Sequence, residues 1–203
     1  MDLNMSSHRP VPSPRIQPLD PSAARGAAAK ALASPVGHMT IFRMLAHAEG
    51  NVIPVMKLGA AILREQKLDP RSRELMLLAV FAIEGGRYEW AQHVEIAHDC
   101  GITDAEIAAI ARSDFESIFS ERDRALLKFA ETLISQPNVP SNKFDTLREF
   151  LDERETIEAI VAIGFYMMLV RVTESLDLAA EAAEGRNVIA SLDARDGSAP
   201  ARS

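Results

Sequence analysis

The chain contains little cysteine: one residue, Cys100, in 203. An intramolecular disulfide and a CxxC redox pair are therefore both excluded, as is typical of proteins from a reducing compartment. The first residues lack the apolar segment of a secretory signal. The longest apolar run, residues 159–170, is too short to cross a bilayer. We therefore expect a cytoplasmic protein with no membrane partner.

Positive charge is also scarce. Lys and Arg together number 22 against 29 Asp and Glu, which gives a formal net charge of −7. Proteins that bind nucleic acid normally present a basic face, so we expect no nucleic-acid partner. A small anionic substrate stays compatible with the sequence, because a local cation can outweigh the net charge. With 47% hydrophobic residues, the composition is that of an ordinary globular domain.

Patterns typical of β-strands are missing, since no segment alternates convincingly between apolar and polar residues. Apolar residues recur at helical spacing instead and predict an all-α bundle of roughly eight helices with short loops. Capping signals mark helix starts at Asp69, Thr103, Ser120 and Asp152.

The two ends of the chain carry weaker signals. Ser34-Pro35 is typical of a helix start, Asn51 begins the next predicted helix, and the last long helix is predicted over residues 156–183. Prolines before residue 22 disfavour regular structure. We divide the chain into a mobile N-terminal arm, a helical domain and a flexible tail, at residues 1–33, 34–190 and 191–203.

One stretch combines apolar and ionisable residues in an unusual way. Residues 75–83 are apolar and end before Gly85-Gly86, and Glu74, Glu89 and His93 lie on either side. These charged groups lose solvation if they follow the apolar run into the interior. They form either a satisfied structural network or a site with tuned pKa values.

Helical spacing brings part of this set together. Glu89 and His93 are four residues apart and share one helix face. A turn at Gly85-Gly86 can bring Glu74 back towards His93. Because imidazole titrates near ~6.5, such a group can carry acid–base chemistry. On spacing alone, a structural or surface Glu–His pair is the favoured interpretation. No Cys/His spacing supports a metal site, so we predict none.

The residues of this stretch match a known family. Glu74, the segment EWAQH at 89–93 and the segment GITDAEI at 101–107 resemble the carboxymuconolactone decarboxylase family, which shares its fold with the AhpD-like proteins. The resemblance covers roughly residues 38–180. It implies an AhpD-like helical bundle that forms trimers or hexamers. A homo-oligomer also agrees with the last long helix, which is apolar nearly all round over residues 159–170.

The resemblance separates two chemical branches. The peroxidase branch uses a CxxCxxxH motif with an upstream glutamate. With His93 as the histidine, the two cysteine positions fall on Gly86 and Glu89, and the glutamate falls on Glu74. Both thiols are absent, and a thiolate is the nucleophile of that chemistry. The resemblance therefore implies the branch without redox thiols.

That branch implies a cofactor-free lyase that decarboxylates or isomerises an unsaturated lactone or a related small carboxylate. His93 would donate or shuttle the proton, Glu89 would orient it, and Glu74 would complete the relay. Arg73 and Arg87 are candidates for binding a substrate carboxylate, as are Arg43 and Arg171. Tyr88 and Trp90 would form the wall of the site.

Two alternatives remain beside the lyase. The chain carries an arm and two helices before Asp69 that simple family members lack, and these could line a larger pocket. The same residues could then isomerise or cyclise a larger secondary metabolite, or could belong to a binding protein without catalysis. A small pocket lined by arginine favours the lactone, whereas a long apolar pocket favours the larger substrate.

Overall fold

The computed structural model describes residues 13–196, which contain ten α-helices, one short 3-10 helix and no strand. The prediction of an all-α fold is confirmed. The helices are α1 (Gly26–Leu32), α2 (Thr40–Leu45), α3 (Glu49–Arg64), α4 (Pro70–Glu84), α5 (Arg87–Asp99), α6 (Asp104–Ala111), α7 (Glu121–Ser135), α8 (Ser141–Arg148), α9 (Glu153–Ser175) and α10 (Gly185–Asp196). The number exceeds the predicted eight because α1 and α10 are also helical.

Helix α4 is the centre of the bundle. All ten residues from 72 to 81 are buried, because α7, α9, α5 and α6 pack around them. Asp69 caps the helix start by accepting a hydrogen bond from the Ser72 amide. Gly85 ends it at φ 74°, a left-handed conformation that glycine adopts without steric cost. The chain then returns along α4 as α5.

The segment before α3 differs from the prediction. Ser34-Pro35 does not begin a helix, because residues 34–39 form turns with hydrogen bonds from the Gly37 amide to Ser34 and from the Met39 amide to Val36. Helix α2 begins only at Thr40. Helix α3 begins at Glu49, two residues before the predicted Asn51.

The long helix α9 is also shorter than predicted. It ends at Ser175, and Asp177 adopts a positive φ of 54°, which interrupts the helix. In the following loop, the carboxylate of Glu181 accepts hydrogen bonds from Thr40 and from the Tyr88 hydroxyl. These contacts stabilise an extended segment where the sequence pattern predicted helix.

The predicted arm is partly packed on the bundle. The Arg15 amide donates to the Leu176 carbonyl, and Ala28 and Ala31 of α1 are buried against the body. The alanine-rich sequence gives α1 a small-residue face that can pack closely on α3. Residues 1–12 of the arm and 197–203 of the tail lie outside the described residues, and residues 191–196 belong to α10. The domain boundaries themselves stay a prediction.

Helix α9 keeps one apolar face uncovered. Ile157, Val161 and Met168 are 60%, 41% and 39% exposed and follow one another at helical spacing. By length and composition alone, the whole of α9 could also cross a membrane. The apolar run at residues 159–170, from which no membrane span was predicted, is shorter than the whole helix. In this structure its other faces pack on α4, α5 and α7 as those of a core helix. The exposed face fits the predicted contact between copies, which stays a prediction.

Replacing Val161 by Glu is expected to weaken self-association, because a charge would then have to be buried in the apolar contact. Light scattering after size-exclusion chromatography should show the wild type as a multiple of the 22.2 kDa chain and the variant shifted towards the monomer. Ile118→Glu is the matched control, since Ile118 is 49% exposed and lies in the loop between α6 and α7. An equal shift in both variants, or a monomeric wild type, would contradict the assignment.

Candidate functional site

A buried chain of three side chains lies where α4 and α5 meet. The Nδ1 atom of His93 is 2.8 Å from Oε2 of Glu74, and Nε of Arg73 donates to Oε1 of Glu74 at 3.0 Å. All three residues are at most 5% exposed. The predicted contact between Glu74 and His93 is therefore present, and it forms because the Gly85-Gly86 turn folds α5 back along α4.

Arg73 connects this chain to the end of α3. Its Nη1 atom donates to the carbonyl oxygens of Leu63 and Ile62, at 3.2 and 3.4 Å. Carbonyl groups in the last turn of a helix have no partner within the helix and carry partial negative charge. The guanidinium group thus satisfies α3 and Glu74 together, which fixes the carboxylate.

These contacts keep Glu74 ionised. Burial alone would raise the pKa of Glu74, but the neighbouring His93 and Arg73 together hold the pKa below its ordinary value. An ionised Glu74 can only accept hydrogen bonds. His93 therefore donates from Nδ1, and its second nitrogen, Nε2, is left for another partner.

Aromatic rings fix the plane of the His93 ring. The ring centroid of Phe81 is 5.0 Å away, and that of Tyr166 is 4.9 Å away in an edge-on arrangement at 87°. Neither Nε2 of His93 nor the hydroxyl of Tyr166 forms a hydrogen bond with another residue in the described part of the chain. Both side chains line the same cavity.

The cavity has a volume of about 430 Å³. It lies between α3, α5 and α9, and α1, α2 and α10 also contribute to its wall. This volume is within the range of sites that hold small ligands. Most of its wall is apolar, with lining residues that include Ile41, Phe42, Ile53, Met56, Phe165 and Leu169. Among residues 13–196, no arginine lines it.

Glu89 also lines the cavity but does not hydrogen-bond to His93. Its two carboxylate oxygens lie 2.9 and 3.0 Å from Oγ1 of Thr173 on α9. Burial raises the pKa of Glu89 to about 7, although the hydrogen bond from Thr173 and the nearby His93 act in the opposite direction. Near neutral pH this carboxyl group can therefore hold or release a proton beside the cavity.

The raised pKa of Glu89 predicts that stability depends on pH. Since the folded state binds this proton more tightly than an unfolded chain does, the stabilising contribution is complete below the ordinary pKa of 4.5 and is lost as the pH rises through about 7. The loss is on the order of 3 kcal/mol. Glu89→Gln, which stays neutral, should remove this decline when urea unfolding is compared at about pH 5 and about pH 8.

Glu116→Gln is the control for this measurement, because the Glu116 side chain is 70% exposed. It should leave the pH dependence unchanged. A wild-type stability that does not fall over this range, or an equal fall in Glu89→Gln, would contradict the predicted pKa.

The other predicted site residues are less central. The structure places Arg73 behind Glu74 and outside the cavity wall, and it places Arg87 on the surface, where it pairs with Glu174 at 2.9 Å. Trp90 packs against the core. Tyr88 does line the cavity, and its hydroxyl donates to Glu181. Of the arginines predicted to bind substrate, Arg73, Arg87 and Arg171 are thus held by protein carboxylates. Arg43 donates instead to the Leu19 carbonyl oxygen.

Tyr166 is the functional candidate that the sequence did not reveal. Burial raises its pKa, so the phenol stays protonated and can donate a hydrogen bond into the cavity. The cavity wall also contains Gln92, Lys30 and Lys57. Gln92 holds the loop before α10, because its Oε1 accepts from the Glu184 amide at 2.7 Å and its Nε2 donates to the Ala182 carbonyl at 3.1 Å.

The thiol motif has no counterpart in this site. A Cβ atom at Gly86 would lie 2.6 Å from Cγ2 of Val170, so the backbone packs too closely for a side chain there. Cys100 does not line the cavity, and burial raises the pKa of its thiol to about 11. At neutral pH it is therefore a protonated thiol and a weak nucleophile.

Comparisons with known proteins agree with the motif. Residues 54–132 match the sequence model of the carboxymuconolactone decarboxylase family. A crystal structure from Agrobacterium tumefaciens, of a protein of unknown function proposed to be the antioxidant defence protein AhpD, is similar with a TM-score of 0.59. The two are 22% identical, and the match covers 64% of this chain and 89% of that chain. A comparison with curated proteins returned no match. The predicted AhpD-like fold is confirmed, and the match over residues 54–132 supports the predicted family.

Proposed function

Because residues 54–132 match the sequence model of the carboxymuconolactone decarboxylase family, we propose that the chain is a cofactor-independent acid–base enzyme. It moves a proton from one carbon atom to another in a substrate whose double bond lies close to a carbonyl group. His93 acts first as the base and then as the acid. The substrate is a largely apolar molecule rather than a small dicarboxylate.

The buried chain from Arg73 through Glu74 to His93, which ends at the cavity, carries this proposal. An ionised carboxylate that accepts from Nδ1 fixes the tautomer of the imidazole and stabilises the imidazolium when Nε2 takes a proton. A structural ion pair would not need a free ring nitrogen beside an apolar cavity.

The reaction that this arrangement supports is a shift of a double bond. Nε2 of His93 removes a proton from the carbon between the carbonyl group and the double bond, and the electron pair of the C–H bond moves through the new double bond to the carbonyl oxygen. The phenol of Tyr166 donates a hydrogen bond to that oxyanion. The imidazolium then returns the proton to the far carbon of the conjugated system, so no co-reactant is consumed.

Decarboxylation is a second candidate because it passes through the same kind of enolate. Loss of CO2 leaves an electron pair on carbon, as removal of a proton does in the isomerisation. His93 then acts as the acid and protonates carbon. An apolar cavity favours this step, since it destabilises the localised charge of the carboxylate relative to the transition state, in which the charge spreads towards the carbonyl oxygen. The lack of arginine in the described cavity wall favours the isomerase over a decarboxylase that acts on a small carboxylated lactone.

Deuterium exchange tests the proposal without knowledge of the natural substrate. A panel of β,γ-unsaturated ketones with apolar chains is incubated with the protein in D2O, and NMR follows exchange and migration of the double bond. Tyr166→Phe is expected to lower the rate about 10²-fold, as removal of an oxyanion donor does. The control is Thr146→Val, which removes a hydroxyl on α8 that lies outside the cavity wall. Absence of exchange across the panel, or unchanged rates in Tyr166→Phe, would overturn the mechanism.

A further inference from the structure

The cavity opens to solvent at one end. Its exposed lining residues are Lys30, Ala33, Pro35 and Lys57, which lie at the end of α1, in the turns that follow it and on α3. The lining residues His93 and Tyr166, by contrast, are at most 5% exposed. The cavity therefore has a mouth that carries two lysines and a closed end that carries the acid–base groups.

The two lysines at the mouth differ from the other lysines of the chain. Lys67 pairs with Asp152, Lys128 pairs with Glu116, and Lys143 donates to Thr132. Lys30 and Lys57 form no ion pair or hydrogen bond with any residue from 13 to 196. In a chain of net charge −7, two unpaired ammonium groups at one cavity mouth create a local site for an anion.

An unpaired hydroxyl lies in the same wall. Ser34 lines the cavity, and its Oγ atom is buried without a hydrogen-bond partner in the described structure. Buried polar atoms are normally paired, so an unpaired one in a cavity wall points to a polar ligand atom. The group sits beside Ala33 and Pro35, at the mouth rather than at the closed end.

The wall near the mouth is built from elements outside the family match. Helix α1, the turns at residues 33–36, α2 and α10 contribute lining residues, whereas the family match begins at residue 54. Gly185 lets α10 approach α5, because a Cβ atom there would lie 2.2 Å from the Gln92 carbonyl oxygen. These additions therefore form part of the wall of the apolar cavity.

We propose that this chain acts on an amphipathic anion, and this substrate class rests on the proposed function. The anionic group lies at the mouth between Lys30 and Lys57, within reach of Ser34. The apolar body fills the cavity, and the reacting carbonyl group reaches His93 and Tyr166 at the closed end. The anionic group of the substrate is thus recognised at the mouth and stays away from the site of proton transfer.

Binding of simple amphiphiles tests this assignment. Isothermal titration calorimetry is carried out with decanoate, decanol and decyltrimethylammonium, at low and at high salt. Decanoate should bind most tightly, and its affinity should fall as the salt concentration rises. The double variant Lys30→Gln/Lys57→Gln should lose about five- to tenfold in decanoate affinity, as expected for two partly exposed ion pairs, and should bind decanol as the wild type does. Lys128→Gln, the matched control, should change neither affinity.

The orientation is tested with His93→Asn, which should leave decanoate affinity unchanged because the carboxylate lies at the mouth. A loss of affinity in this variant would place the carboxylate at the closed end and overturn the assignment. So would equal binding of decanoate and decanol, or an unaffected double variant. Binding as expected without deuterium exchange would reject the acid–base function while the ligand class stands, so the two failures are distinguishable.

Discussion

Replacing His93 by Asn is expected to lower the rate of proton transfer by about 10²–10⁴-fold, the usual contribution of a positioned acid–base group. Asn keeps a polar side chain beside Glu74 but has no group that titrates near neutral pH. The loss should appear in kcat more than in KM, because Nε2 contributes to the transition state rather than to substrate binding. Deuterium exchange and steady-state kinetics on the same ketone measure both.

His98→Asn is the matched control for this variant. His98 lies on the same helix, α5, and its Nε2 is 2.9 Å from Asp104 on the surface, away from the cavity. The control should retain wild-type rates, and circular dichroism should show that both variants are folded. Equal rates in His93→Asn and in the wild type would show that another group carries the proton.

Replacing Glu74 by Gln is expected to destabilise the protein by about 3–5 kcal/mol. Arg73 would then be a buried cation without a counter-charge, and Arg73 and His93 would compete for one amide oxygen. For a chain of this size, such a loss lowers the thermal midpoint by about 6–20 °C. Differential scanning calorimetry at constant protein concentration measures it, so that any oligomer is compared under equal conditions.

Two further variants make this prediction specific. Glu116→Gln removes the same charge from a side chain that is 70% exposed and should cost less than about 1 kcal/mol. The double variant Arg73→Met/Glu74→Gln should regain part of the stability, because the unpaired buried cation is gone. If Glu74→Gln and Glu116→Gln behave alike, the buried chain does not stabilise the fold.

The sequence predicted the centre of the site because local rules determine it. Helical periodicity placed Glu89 and His93 on one face, and Gly85-Gly86 marked the turn that returns α5 along α4. The distance between Glu74 and His93 then follows from two adjacent helices and one short connection. Asp69 and the capping boxes at Thr103 and Asp152 were likewise visible locally, and all three cap their helices.

The cavity could not be predicted in the same way. Tyr166 meets His93 through tertiary packing of α9, and no local pattern connects the two residues. Arg73 appeared to be a substrate ligand because the sequence does not show that the last turn of α3 approaches it. The mouth depends on turns at residues 34–39 and on the loop held by Glu181, both of which resemble helix by composition.

The close packing at Gly86 determines the order in which substitutions could introduce the two cysteines of the thiol motif. Gly86→Cys in the present background would drive its side chain into Val170, which is 2% exposed and cannot move aside easily. A smaller residue at position 170 would have to come first, and only then could cysteines at positions 86 and 89 be tested for redox activity. Val170, a residue of α9 to which no catalytic role is assigned, thus acts as a steric barrier between the two chemistries.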